Sequence, residues 1–425
     1  MHSRRITAAV LSLALVCPAL ASAAPQAWNG TLTRAQAVAR VAAAGFDVRT
    51  ALAQADESAA QVSGARAALL PQISITGESL DANLPQFGMP VARQTYASFS
   101  GSLPIVQLAA AAGLRAAHSD STASAFDLAA VRNDAALAAI TLYDNAALAA
   151  GILQSREAAL ADQQANVART ELLVRVGRLP GYESARARAA LADAQQSAED
   201  EAAQRDEAFN ALKVALDFDL SSALTLGDSL VPRPFGDSEQ AALARALAQR
   251  PDLLAAAARV ASAAAKLSQA RAAYVPIVSV SAQTYNGSSS PQLGRVGSQV
   301  SVSASVPLFD GGARSALVRQ ATDESAKAQI AYERGRLTVQ ADVANAWREL
   351  EAARKNLETA QSARENADEN LRVARLRQRA GKAIQLEVLD ALSLAAGARE
   401  MVLRAEARYD LAVAGVRHAA ADPQP

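Results

Sequence analysis

The 425-residue chain has one cysteine, Cys17, so an internal disulfide is excluded and thiolate chemistry has a single candidate near the N-terminus. Aromatic residues are scarce, with 8 Phe, 7 Tyr and 2 Trp, too few to fill the core of a conventional enzyme domain at native density. Charge of one sign is not in excess: 42 basic side chains face 42 acidic ones. Nucleic-acid-binding and polybasic membrane-surface proteins need a basic surplus, so neither class fits and no nucleic acid is expected as a partner. The three histidines, His2, His118 and His418, have no second ligand at metal spacing. No G-x-x-x-x-G-K-[ST] phosphate loop and no Ser/His/Asp pattern occurs, so ATP hydrolysis cannot come from this chain. Catalytic residues, cofactor and metal are accordingly all expected to be none. Beyond residue 24 no uninterrupted run of 18 apolar residues occurs, which predicts no spanning helix. If such a chain enters a membrane, it does so as a β-barrel.

Alanine is abundant instead, and the A/V/I/L/M/F/W/Y/C set reaches 51% despite the missing aromatics. Interspersed with Glu, Arg, Gln and Asp, alanine predicts long, closely packed helices. At the start, Arg4 and Arg5 precede an apolar run from Ile6 to Val16, then Pro18 and Ala21-Ser22-Ala23. That order predicts a secretory signal peptide over residues 1–23. Cys17 lies inside it, and its neighbours Val16 and Pro18 fit lipoprotein cleavage poorly.

The chain contains itself twice. Ala65-Arg66-Ala67-Ala68-Leu69-Leu70-Pro71 recurs 205 residues on as Ala270-Arg271-Ala272-Ala273-Tyr274-Val275-Pro276. Asp47 meets Asp252 at the same offset, Ser102-Leu103-Pro104-Ile105 meets Ser305-Val306-Pro307-Leu308, and Val176-Gly177-Arg178 meets Ala380-Gly381-Lys382. Glu183 then corresponds to Glu387. The predicted organisation is a first repeat over 24–216, a Pro- and Gly-containing linker over 217–237, a second repeat over 238–418 and a tail over 419–425. Each repeat reads helix, β-hairpin (about 71–106 and about 276–308), long helix, tip turn (about 177–181 and 381–383) and return helix.

The strands alternate. Val300, Val302, Ala304 and Val306 alternate with Ser301, Ser303 and Ser305, and Val278, Val280 and Ala282 with Ser279, Ser281 and Gln283. In the first repeat Ile73 and Ile75 oppose Ser74 and Thr76, while Ala97, Phe99, Gly101 and Leu103 oppose Ser98, Ser100 and Ser102. A period of two, apolar on one side and small-polar on the other, suits a sheet between hydrocarbon and water. A soluble sandwich also alternates, but serine opposite valine fills an inner face badly. Four strands cannot close a barrel, and open edges cannot face lipid. Two copies would supply about 8 strands around a side-chain-filled lumen, and three about 12 around an aqueous bore; the serine face favours three.

From Leu108 to Val176 and from Arg314 to Ala380 there is no proline and little glycine. Helices of that length reach ~100 Å at 1.5 Å per residue. Leu350, Leu357 and Leu371 with Ala353, Ala360, Ala367 and Ala374 place apolar residues on a roughly seven-residue rhythm. Pairs such as Glu365 and Glu369 with Arg372 read as a solvated face.

Arg250-Pro251-Asp252-Leu253, Ala270-Arg271 before Pro276, Pro307-Leu308-Phe309-Asp310-Gly311-Gly312, and Gly381 followed by Leu386-Glu387-Val388-Leu389-Asp390-Ala391 carry a resemblance to the TolC-type outer-membrane efflux and secretion channel family. It extends over nearly the whole mature chain. It implies a fold that is mainly α with a small β part: a homotrimer whose 12-stranded transmembrane β-barrel, four strands per chain, continues into a long periplasmic α-helical barrel. It further implies the outer membrane of a Gram-negative bacterium and its lipid as surroundings. The implied function is a passive exit duct of efflux or type I secretion, working with a periplasmic adaptor (membrane fusion) protein and an inner-membrane pump of RND or ABC type.

The same resemblance implies site residues. Glu387 and Asp390 stand where the family rings its periplasmic entrance with acids. The tip loops Gly177, Arg178, Leu179 and Gly381, Lys382, Ala383 stand where it contacts its adaptor. Pro307, Asp310, Gly311 and Gly312 fit the strand-to-helix swivel, with Asp310 able to cap the following helix; Val106-Gln107-Leu108 takes their place in the first repeat. Gln378 and Ala383 replace the tyrosine and arginine that latch the tip in one branch of the family, which leaves Lys382 or Arg379 available to pair with Glu183. An exported trimeric coiled-coil or adhesin-like protein without conduction is the alternative from another class. Few His and Met weigh against specific copper or zinc handling.

Overall fold

A computed structural model describes residues 28–82, 92–232, 235–287, 296–382 and 384–422. The expected signal peptide with Cys17, the hairpin ends at 83–91 and 288–295, and Ala383 lie outside the described residues. In the first half the order is β1 (Gly30–Leu32), α1 (Arg34–Ala44), α2 (Phe46–Ala67), β2 (Gln72–Ala82), β3 (Ala92–Val106), α3 (Leu108–Arg175) and α4 (Gly181–Ala215). The second half gives β4 (Leu224–Leu226), α5 (Glu239–Gln249), α6 (Pro251–Ala272), β5 (Ile277–Gly287), β6 (Val296–Ser305), α7 (Ala313–Arg379) and α8 (Gln385–Ala419). The helices run 11, 22, 68 and 35 residues in the first half and 11, 22, 67 and 35 in the second. Two halves whose helix lengths agree to within one residue are what the internal repeat requires.

Two details differ from the sequence expectation. The stretch 217–237, expected as a linker, contains β4, which pairs in parallel with β1 through Gly30–Leu224, Thr31–Thr225 and Leu32–Leu226. Three-residue strands are too short to show a period. The first helix of each repeat is also two helices. Gly45 makes the break in the first, where an added Cβ would lie 2.6 Å from the Val41 carbonyl oxygen; Pro251 makes it in the second by opening α6. The starts of α1 and α5 are capped by Thr33, whose hydroxyl accepts from the Gln36 amide at 3.3 Å, and by Ser238, which accepts from the Ala241 amide at 3.2 Å.

The Arg250-Pro251-Asp252-Leu253 block is a helix junction. Arg250 donates to Asp252 at 3.0 Å and pairs with Asp342 of α7 at 2.8 Å, while Leu253 is buried beside Val339 and Val343. All seven α7 positions picked out by the heptad rhythm, from Leu350 to Ala374, are buried. They meet Val388, Ala391, Leu392 and Ala395, then Val402, Ala405, Tyr409 and Ala412 of α8. Alanine on both sides lets the backbones approach, so the seam closes without large side chains.

α3 packs against α1, α2, α4, α6 and α8, and α7 against α5, α6 and α8. One 18-residue stretch of α3 is apolar enough on average to cross a membrane, unlike the expectation drawn from uninterrupted runs. Alanine dominates it, and 44% of it is buried against the other helices. Midway along α3, Ile140, Tyr143 and Ala146 join Leu32, Val38, Leu212, Leu216 and Phe218 in one core. There the Tyr143 hydroxyl donates to the Leu32 carbonyl and accepts from the Asp228 amide, both at 3.1 Å, tying β1 and the β4 exit to α3.

Candidate channel site

The four long strands form one sheet in the order β2-β3-β5-β6, each neighbour antiparallel. Residues directly opposite one another share a face. The row Ile73–Gly101–Ala282–Val300 is apolar, and so is Leu103–Val280–Val302. Between them run Gln72–Ser102–Ser281–Ser301 and, on the other side, Ser74–Ser100–Gln283–Gln299. The alternation seen strand by strand is therefore in register across the sheet. Ile75, Val300 and Val302 are 78%, 74% and 70% exposed, which leaves an apolar face that the other described residues do not cover.

The opposite face is a hydroxyl and amide surface. Ser74 and Ser100 hydroxyls lie 2.7 Å apart, Ser281 and Ser301 2.8 Å, and Ser279 and Ser303 3.0 Å. These cross-strand bonds satisfy part of the wall and keep its side chains short. β2 and β6 each pair on one side only among the described residues. With every neighbour antiparallel, the two edge strands run in opposite directions.

At the β6–α7 junction Asp310 accepts from the Gly312 and Arg314 amides at 3.0 Å and from Arg314 Nε at 2.7 Å. The Arg314 guanidinium holds the Asp310 carboxyl below its ordinary range. Gly311 and Gly312 have φ of +66° and +92°, a region costly for any side chain. Arg314 also lies 4.7 Å over the Tyr274 ring, linking the turn after α6 to the start of α7. Pro307 precedes this cluster in the same connection.

At the opposite end, both long helices finish alike. Gly177 and Gly381 have φ of +73° and +70°. The Arg178 amide reaches back to the Leu173 carbonyl and the Lys382 amide to the Arg377 carbonyl, each at 2.8 Å. With the matching bonds of Gly177 to Val174 and Gly381 to Gln378 at 3.0 Å, these are paired Schellman turns. Leu179 follows the first of them, before Pro180 opens α4.

The side chains near the tip hold together differently from the sequence expectation. Glu183 is buried in the first turn of α4 and its Oε2 has no hydrogen-bond partner. No ion pair joins it to Lys382 or Arg379, which are exposed at the end of α7. The expected pairing is thus not made within one chain, because Glu183 points to the packed side of its helix. Instead an amide relay crosses three helices: Arg169 donates to Gln378 at 3.3 Å, Gln378 to Gln385 at 2.8 Å, and Gln385 to Asn166 at 2.8 Å. Sequence reasoning missed Asn166 and Gln385, whose positions 219 residues apart carry no local signal.

Glu387 is half-exposed, with Arg377 3.7 Å away. Asp390, exposed, lines a groove of about 630 Å³ between the α3/α4 and α7/α8 pairs, beside Arg156, Asp162, Arg186 and Arg399. Higher up, Arg34 lies 3.5 Å from Asp144 and 3.9 Å from Asp410, linking α1 to α3 and α8. Burial pushes the Asp144 carboxyl up to about 6, against the opposing pull of Arg34.

A half-apolar, half-hydroxyl sheet, unpaired at both edges among the described residues, is thus set on helical hairpins that reverse ~100 Å away. Residues 242–421 match the family described as outer membrane efflux protein. The chain is 38% identical over 134 residues to Protein CyaE of Bordetella pertussis, covering 30% of this chain and 28% of that one. It is 29% identical over 195 residues to the outer membrane protein OprJ of Pseudomonas aeruginosa, covering 44% and 40%. The matched segments thus span less than half the length of either relative. In fold it is similar to the MtrE outer membrane channel of Neisseria gonorrhoeae, with a TM-score of 0.79 at 21% identity over 91% of this chain and 88% of that one. The family match takes in less than half of the chain, and the likeness to the solved channel is one of fold.

Proposed function

We propose that three copies close into one 12-stranded barrel and act as the passive exit duct of a tripartite efflux pump or type I secretion system. One observation carries this: among the described residues the sheet has an uncovered apolar face, a serine-rich hydroxyl face and two unpaired edges of opposite direction. β6 of one copy can then continue antiparallel into β2 of the next, a head-to-tail contact that closes into a ring. Lipid takes the apolar face and solute the serine face. The energy source lies elsewhere, with an inner-membrane pump of RND or ABC type reached through a periplasmic adaptor.

In this reading the halves 24–216 and 238–418 contribute equivalent wall segments, and 307–312 turns strand into helix. The loops at 177–179 and 381–383 meet the adaptor. Glu387 and Asp390 supply acidic rings at the entrance, where charged side chains repeated around an axis attract cations. Gln378, with Asn166 and Gln385, holds the α7/α8 pair against α3 where other members use different residues. Purified protein in a planar bilayer tests the duct: stepwise single-channel current is expected. Complete absence of current under every opening condition would favour a structural or adhesin-like trimer instead.

A further inference from the structure

Leu308 and Phe309 are 92% and 90% exposed, the two most exposed large apolar side chains among the described residues. They sit in the β6–α7 connection, between the sheet and the helical part. Loop residues of this kind are normally polar, because a free apolar pair in water gains nothing. The connection is also held firmly. Asp310 accepts three bonds from Gly312 and Arg314, Arg314 stacks on Tyr274, and two consecutive glycines take left-handed φ. A segment with that much support presents Leu308 and Phe309 outward by construction.

Their position continues the apolar face of the sheet. Val300, Val302 and Ala304 lie on it in β6, which ends at Ser305, and Leu308 and Phe309 follow that end by three and four residues. At the same end Ile105 and Leu108 of the first half are 59% and 51% exposed, and Leu70 and Tyr274 in the two helix-to-strand turns are 49% each. Apolar and aromatic side chains at the rim of a lipid-facing band settle at the hydrocarbon–headgroup boundary. In the first half Ile105 and Val106 stand at the corresponding positions but are less exposed, at 59% and 36%, and the chain runs from there through Gln107 directly into α3 without a glycine turn.

We infer that the Leu308–Phe309 pair is a membrane foot, seated among the acyl chains of the leaflet on the helical side and setting the depth at which sheet gives way to helix. This rests on the channel reading. The Asp310–Arg314 pair then lies at headgroup level, and the swivel connection doubles as an anchor once per copy.

The test uses full-length protein carrying Phe309→Trp or, separately, Leu308→Trp, reconstituted into phosphatidylcholine vesicles with or without bromine on the acyl chains. The signal is the difference from wild type, whose Trp28 and Trp347 pack on Phe218 and Phe235 in the helical part. Val302→Trp serves as the lipid-facing reference. Leu337→Trp, 24 residues into α7 and thus about 36 Å along it, serves as the water-side reference. Strong quenching by brominated lipid and a blue-shifted emission are expected for both foot variants, close to Val302→Trp. Insertion with Val302→Trp quenched but both foot variants unquenched, like Leu337→Trp, would overturn the foot and point to a contact with a neighbouring copy. A wild-type chain that never enters vesicles would overturn the channel reading itself.

Discussion

Val300→Lys separates a lipid-facing sheet from a water-facing one, because the two readings assign the change different costs. Val300 is the fifth of the ten residues of β6 and sits opposite Ala282, the middle residue of β5. If the apolar face meets hydrocarbon, Val300 lies near the bilayer midplane. A lysine there costs roughly 2–4 kcal/mol per chain. Each 1.4 kcal/mol is about tenfold in equilibrium, so one chain loses ~30-fold to several hundredfold, and a ring of three copies loses it three times over. If the face meets water, a residue already 74% exposed changes stability by no more than about 0.5 kcal/mol. Ser301→Lys, one residue on and facing the hydroxyl wall, is the matched control. It forfeits one Ser281 contact at 2.8 Å but leaves the charge in water. The assay is refolding from urea into vesicles, followed as protease-resistant oligomer. Val300→Lys should shift insertion to much lower urea or abolish it, with Ser301→Lys near wild type. Equal insertion of the two variants would refute the assignment of faces.

Acidity should act on the α1/α3/α8 junction. Asp144 is raised from 3.8 to about 6 in the folded chain, so the folded state binds this proton more tightly than the unfolded one. Its contribution is therefore most favourable below pH 4 and is lost as pH rises through 6, by up to about 3 kcal/mol. Asp144→Asn should flatten the dependence of urea stability on pH between 4 and 6.5; an unchanged slope would contradict the buried-carboxylate account. At the turns, Gly381→Ala should destabilise by about 1 kcal/mol and Ala421→Gly should stabilise by a similar amount, because Ala421 holds φ of +55°. Thermal melts of the two variants should move in opposite directions. Neutralising Glu387 and Asp390 together should weaken block by multivalent cations added from the helical side in bilayer recordings, and unchanged block would remove them from the entrance.

Much of the fold was legible because its signals are local. A period of two named the strand faces residue by residue, and a seven-residue rhythm named the α7 seam from Leu350 to Ala374. The internal offset tied one half to the other, including the paired glycine turns at Gly177 and Gly381. β1 and β4 were illegible because three residues carry no period, and their pairing joins positions 194 residues apart. The tip was only partly legible. Helix phase cannot be read through a glycine turn, so the buried orientation of Glu183 and the approach of Arg377 to Glu387 did not follow from spacing. The Asn166–Gln385–Gln378 relay joins common residue types across three helices, and nothing in any one segment marks it. Leu308 and Phe309 could be seen as part of a glycine-containing connection, but their exposure depends on how Asp310, Arg314 and Tyr274 hold it.

The central claim is that one chain supplies a third of a closed wall. Native mass spectrometry of the detergent-extracted, purified protein measures this directly as chains per particle. A particle of three chains is expected. Single chains, or pairs at every protein concentration and in every detergent, would contradict it.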